Sequence, residues 1–183
     1  GGVSSGDFAS LNVSTARKDR SGFTDSARNV EENYRRIADV LGLAPEKACA
    51  AKQVHSDIVY TVQRTDGGKG VLEAFPVLDG CDGVLLEPDC EEIDAVCVKT
   101  ADCVPILLAN RATGAVCAVH AGWRGSAADI VTKAAKTLAH GCMEHILAAI
   151  GPCIGRCHYE VGEEVYAAFA RLLRSKDAVS DID

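Results

Sequence analysis

The chain has no apolar run approaching the ~20 residues that a membrane-spanning helix needs, which excludes a span of that kind. Its longest basic runs are two residues, and 19 Lys and Arg face 26 Asp and Glu, for a net charge of -7. A protein that grips duplex phosphates presents a basic face, so nucleic acid is not an expected partner. Internal repeats and low-complexity tracts are also missing, which excludes solenoids and disordered linkers. No secretory signal is visible, so export is not expected either.

What is present suits a globular protein. The 183 residues are 48% apolar and 25% charged, enough for a sizeable core in one domain spanning 1–183. Nine cysteines are an odd number in a chain too long to be a small disulfide knot. Cys97 and Cys117 lie inside apolar runs, where a thiol behaves as a small core residue. The expectation is a reducing cytoplasm, with most cysteines structural and one or two chemical.

Residues 1–25 are rich in Gly, Ser, Asp and Thr and read as loop. Asp25 can cap a helix from Ser26, with Val30, Tyr34, Ile37, Ala38 and Leu41 on its apolar face and Gly42 and Pro45 as stops. Ile58–Val62 reads as a strand, followed by a turn at Asp66–Gly70. Four short apolar runs follow, Gly83–Leu86, Ile93–Val98, Val104–Ala109 and Ala115–His120, the last two joined as a hairpin through Asn110–Gly114. From Ser126 the period turns helical, with Ala127, Ile130, Val131, Ala134, Ala135 and Leu138 sharing a face. A strand at His145–Ile150, a loop at Gly151–Cys157 and a helix at Val161–Arg174 complete the reading, the last with Val165, Ala168, Phe169 and Leu172 inward. Strands and helices mix without strict alternation, which predicts an α+β fold with mixed sheets and helices packed outside.

Three segments bring reactive side chains to strand ends: Lys52–His55, Lys99–Pro105 and Val119–Gly125. In the third, a strand ends in His120 and turns through glycines into a helix. Such a turn favours an anion, with Arg124 as a bidentate phosphate contact and Trp123 stacking on a planar ring. The competing reading is a tight turn with Trp123 in the core and Arg124 on a surface carboxylate. Cys103 sits in a polar stretch, where its thiol is a zinc ligand, a nucleophile or simply another small buried residue. His55 is a ligand or a hydrogen-bonded loop residue, and the long gaps between the three match no short zinc-finger spacing. Cys153, Cys157 and His158 form at most half a metal knuckle, and Asp79 and Asp82 are either turn residues or acceptors near the site.

Seven motifs occur in one order: Gly1-Gly-Val-Ser4, Ser10-Leu-Asn12, Lys52-Gln-Val-His55, Asp79-Gly-Cys-Asp-Gly83, Thr100-Ala-Asp-Cys-Val-Pro105, His120-Ala-Gly-Trp-Arg-Gly125 and Gly151-Pro-Cys-Ile-Gly155. Together they resemble the YfiH-like proteins, also called the multicopper polyphenol oxidase or laccase-domain family. The resemblance covers nearly the whole chain and is densest around Cys103 and His120.

It implies an α/β sandwich similar to the catalytic domain of cytotoxic necrotizing factor, and one zinc held by His55, Cys103 and His120. It implies phosphorolysis of adenosine, inosine and methylthioadenosine, and deamination of adenosine. Purine nucleoside and phosphate are then the partners. Within that reading His55, Cys103, His120 and Asp102 are catalytic, and Arg124, Gln53 and Trp123 bind substrate. Asp102, Asp82 or Asp79 protonates the departing purine. Copper is not expected, because a multicopper oxidase needs His-x-His pairs and the chain has none. Family members carry a strand before Gly1 and a C-terminal segment with another cysteine and an Arg-rich motif, and the expectation is that this chain lacks both. Two alternatives use the same residues: a metal-free cysteine hydrolase or deamidase with Cys103 as nucleophile and His120 as base, and a purine-binding protein without turnover.

Overall fold

A computed structural model describes residues 1–177 apart from 10, 16–17 and 73–77, so Ser10 of the second motif lies outside the described residues. The first helix, α1, spans Ala27–Leu41. Its N-cap is Ser26, whose side chain accepts from the Asn29 N–H, while Asp25 lies one residue earlier and accepts from Ser26 and Asn29. Gly42 closes the helix in the left-handed conformation at φ 68°. Val30, Tyr34 and Ala38 are buried as expected, but Leu41 is exposed, because the buried stripe ends at Ala38, a turn before the helix does.

The strands form two sheets. Strands β1 (Ala48–Lys52), β3 (Leu78–Asp79) and β5 (Ala95–Cys97) make a small parallel sheet with β1 at its centre. Strands β2 (Val59–Thr61), β4 (Gly83–Leu86), β6 (Val104–Asn110), β7 (Val116–Ala121) and β8 (Ile146–Ile150) make a larger one in the order β2-β4-β7-β6-β8, with only β2–β4 parallel. The α+β class with mixed sheets is the observed fold.

Period-2 alternation explains how these layers stack. Along β1, Ala48 and Ala50 face α1 while Cys49 and Ala51 face the other sheet. Along β4, Val84 and Leu86 meet them between the sheets, and Leu85 points to the opposite face. That opposite face, with Ile106, Leu108, Cys117 and Val119, buries Ile130, Ala134 and Leu138 of α3 (Ile130–Ala139). The layers therefore run helix, sheet, sheet, helix. The small sheet covers only part of its partner, and Leu107 and Leu147 on the β6–β8 end of the inner face are 57% and 55% exposed.

Three elements differ from the sequence reading, the short strand β3 among them, since two residues show no alternation. β1 is a strand despite its poor strand formers, Ala-Cys-Ala-Ala-Lys, because only small side chains fit between α1 and the inter-sheet core and parallel neighbours bond it on both sides. The helix expected from Ser126 is two helices: α2 spans Trp123–Ala127, Asp129 breaks the chain at φ 64°, and α3 follows. The last helix, α4, spans Glu163–Asp177. No helix among the described residues is long and apolar enough to cross a membrane.

Motif residues near the N-terminus do structural work. Ser4 Oγ donates to Asp25 at 2.6 Å, and Asn33, fully buried on α1, donates to Ser4 Oγ and to the Asn12 carbonyl. The same carboxylate accepts from Asn12 at 3.0 Å. Asp66 plays a similar part in the turn after β2, where it is 1% exposed and accepts from Lys69, the Gln63 N–H and the Tyr60 hydroxyl. Burial alone would raise its carboxyl, but these donors outweigh burial and hold it below the ordinary value. A lowered folded value contributes stability that is full above an unfolded pKa of about 3.9 and is lost as pH falls through the folded one. Urea titrations from pH 7 to pH 3 should therefore show a fall in stability below pH 4 that Asp66→Asn makes shallower. An unchanged acid limb in that variant would contradict the assignment.

Candidate metal centre

The site begins with register. β4 and β7 pair Gly83 with Val119, and β6 and β7 pair Val104 with Ala121 and Pro105 with His120. Asp82 thus lies just before β4, His120 near the end of β7, and Cys103 just before β6, all at one end of the large sheet. His55 reaches the same place from the loop between β1 and β2.

Asp82 organises this end. It is fully buried and accepts from the backbone N–H groups of Val54, His55 and Ser56 at 3.2, 3.0 and 2.7 Å, and from Ser56 Oγ at 2.8 Å. Its Oδ1 also lies 2.8 Å from His120 Nδ1. Burial pushes this carboxyl up, but the Ser56 N–H, the His120 ring, the Ser56 hydroxyl and the Val54 N–H together hold it below the usual carboxylate range. An ionised carboxylate can only accept, so His120 Nδ1 donates to it, which leaves Nε2 as the ring nitrogen available to a metal. His55 sits at φ 60°, a costly conformation for a non-glycine residue, and the grip of Asp82 on three successive N–H groups maintains it.

The outcome is convergence. One ligand atom from each of His55, Cys103 and His120 lies within 4.8 Å of the others, and the two rings meet edge to face at 4.9 Å. Exposure falls from His55 through Cys103 to the buried His120. Gly122 is the floor beneath them. A Cβ there would stand 2.8 Å from His55 Cδ2 and 3.2 Å from Cys103 Sγ, so only glycine leaves these side chains their room. Two imidazoles and a thiol around such a cradle fit a divalent metal with an open fourth position. Burial, followed by the charges of Asp102 and Asp82, raises the Cys103 thiol, so a thiolate there needs a cation beside it.

The family described as multi-copper polyphenol oxidoreductase laccase matches residues 1–182. The chain belongs to this family. A Deinococcus radiodurans relative named purine nucleoside phosphorylase is 37% identical over 171 residues, covering 92% of this chain and 59% of that protein. The Escherichia coli relative, purine nucleoside phosphorylase YfiH, is 36% identical over 171 residues, covering 92% and 61%. The crystal structure of YlmD from Geobacillus stearothermophilus superposes with a TM-score of 0.82 at 32% identity, covering 93% of this chain and 61% of that one. The chain thus spans about three fifths of the length of these laccase-family relatives.

The remaining candidates stand at different places around the centre. Asp102 and Trp123 line a cavity of about 200 Å³ next to Cys103. Gln53 clasps a neighbouring loop: its Nε2 donates to the Lys99 carbonyl at 2.6 Å and its Oε1 accepts from the Lys99 N–H at 2.7 Å, tying the His55 segment to the Cys103 segment. Arg124 lies outside the cavity, its guanidinium 4.1 Å from the centroid of the Trp123 ring and 3.7 Å from Glu164.

Asp79 is exposed beside Lys52 and does not line that cavity, and both oxygens of Asp82 are already taken by donors, so neither faces a substrate held there. Cys153 and Cys157 are exposed, and among the described residues the metal-capable group is His55–Cys103–His120. Sequence reasoning missed Gly122 and undervalued Asp82. The signal was their place in the motifs, Gly122 in His120–Gly125 and Asp82 in Asp79–Gly83.

Gly122→Ala should abolish metal uptake while leaving the circular dichroism spectrum native, because the added methyl strikes ligands rather than core. Asp82→Asn should weaken metal affinity by about 10–100-fold, read by competition with a chromophoric chelator. Full metal uptake by Gly122→Ala would refute the cradle.

Proposed function

We propose that this chain is a zinc-dependent purine nucleoside enzyme that phosphorolyses adenosine, inosine and methylthioadenosine and also deaminates adenosine. The observation that carries the reading is the convergence of His55, Cys103 and His120 beside an apolar cavity that Trp123 lines. Family membership and relatives named purine nucleoside phosphorylase support it.

His55, Cys103 and His120 are the residues that would hold the zinc, and zinc in such a three-ligand setting supplies Lewis acidity and a polarised water. A single mononuclear group of imidazoles and thiol suits zinc better than the clustered copper of a multicopper oxidase. In phosphorolysis a phosphate oxygen bonds to ribose C1′ as the bond from C1′ to N9 breaks, and the purine leaves most easily when it is protonated. In this reading Asp102 passes that proton to N7, a role supported by its position on the cavity wall and its exposure to solvent. Arg124 carries the charge for phosphate, and its long contact with Glu164 between two exposed side chains is one that a phosphate can displace. In deamination a water oxygen adds at C6 and ammonia departs. Nine free cysteines fit a reducing cytoplasm as the compartment.

One observation favours a second reading. Asp82, His120 and Cys103 are also arranged as orienter, base and nucleophile of a cysteine hydrolase. Against it, that chemistry has no use for His55, and the raised Cys103 thiol is a poor nucleophile without a cation.

The purified protein should hold one zinc per chain and release adenine from adenosine only when phosphate is present. Cys103→Ala should lose both the zinc and the phosphorolysis. Iodoacetamide should spare Cys103 until a chelator is added. A metal-free protein that turns over an amide and is inactivated by the alkylator at once would decide for the hydrolase.

A further inference from the structure

The cavity beside Cys103 has two aromatic walls, Tyr159 and Phe169, that belong to none of the chemistry-bearing motifs. Trp123 comes from α2, Tyr159 from the loop after β8, and Phe169 from α4, with Ile154 and Val104 completing an apolar lining. Tyr159 is 43% exposed, although an aromatic ring of that size ordinarily gains by burial. Trp123 is the only tryptophan in the chain, and Arg124 already lies over its ring. The polar groups that lining residues offer are few: the Asp102 carboxylate and the Ser126 and Tyr159 hydroxyls.

A cavity lined by three aromatic rings and few polar side chains suits a planar heteroaromatic ring better than a strongly polar ligand. Its placement against Cys103 sets whatever fills it next to the three metal-capable side chains. Local tethers hold the walls together. The Ile154 N–H donates to the Asp102 carbonyl at 3.0 Å, and the Gly151 N–H donates to the Pro105 carbonyl at 2.9 Å.

We infer that Tyr159 and Phe169, with Trp123, form the slot that clasps the heteroaromatic base of the substrate. This assignment rests on the purine nucleoside reading of the metal centre. Tyr159 and Phe169 act in it as specificity-determining residues for the base, and neither handles the proton, the phosphate or the metal.

The test follows Trp123 fluorescence while the zinc-loaded chain is titrated with adenosine and with adenine, alongside steady-state phosphorolysis of adenosine. Both ligands should quench the emission saturably. Tyr159→Leu and Phe169→Leu keep apolar bulk and remove the ring face. Each should weaken the quenching about tenfold and raise KM for adenosine by a similar factor, with kcat within about threefold and zinc content unchanged. The matching alanine variants should weaken binding further, and the leucine pair serves if they do not fold.

Phosphorolysis with unshifted KM in folded, zinc-loaded leucine variants would overturn the slot and leave the purine reading standing. Saturable quenching by adenine that the leucine variants weaken, in a protein that turns over no nucleoside, would sustain the slot and overturn the purine reading. Absence of quenching by either ligand would overturn the slot.

Discussion

The contact between Asp82 and its five donors is the interaction on which the site depends. A carboxylate removed from water is costly unless its lone pairs are filled, and here three backbone N–H groups, a hydroxyl and an imidazole fill them. The same oxygens thereby do two things. They hold His55 in a strained backbone state and fix the tautomer of His120. Without that buried anion the two imidazoles would have no common reason to face one point.

The sandwich supplies the frame. β4, β6 and β7 are the strands that end at the site, and their antiparallel register is set by which residues face α3 and which face the small sheet. A slip of one residue would turn His120 from the buried end of β7 to the opposite face. The packing of Leu85, Val119 and Leu138 therefore locates the chemistry as much as it stabilises the core. The loops add the clasps, Gln53 on Lys99 and Ile154 on Asp102, that bring the separate segments to bonding distance.

Much of the fold was legible. Gly83–Leu86, the β6–β7 hairpin and α1 were visible because a short apolar run, a five-residue turn with Gly114, and a capped helical stripe are local signals. β1 was not, since its alanines carry no strand preference and its state is imposed by β3 and β5. The break at Asp129 was also hidden, because an apolar face continues from Ala127 to Leu138 across it. The metal-capable trio was legible only as three separate reactive positions and through the family resemblance. Spacing said nothing of their meeting, and Phe169 read only as one inward residue of the last helix.

The amino-acid order by itself determined which residues own reactive atoms, that most thiols sit in apolar surroundings, and that helices and mixed strands share one chain. Only the tertiary structure decided which of those atoms meet. Local patterns act over a few residues, whereas the distances between His55, Cys103 and His120 are set by sheet register and by one buried carboxylate reaching across strands. The same reason separates Asp82 from Asp79: two aspartates three positions apart look alike in sequence, and packing buries one as the anchor of the site and leaves the other in water.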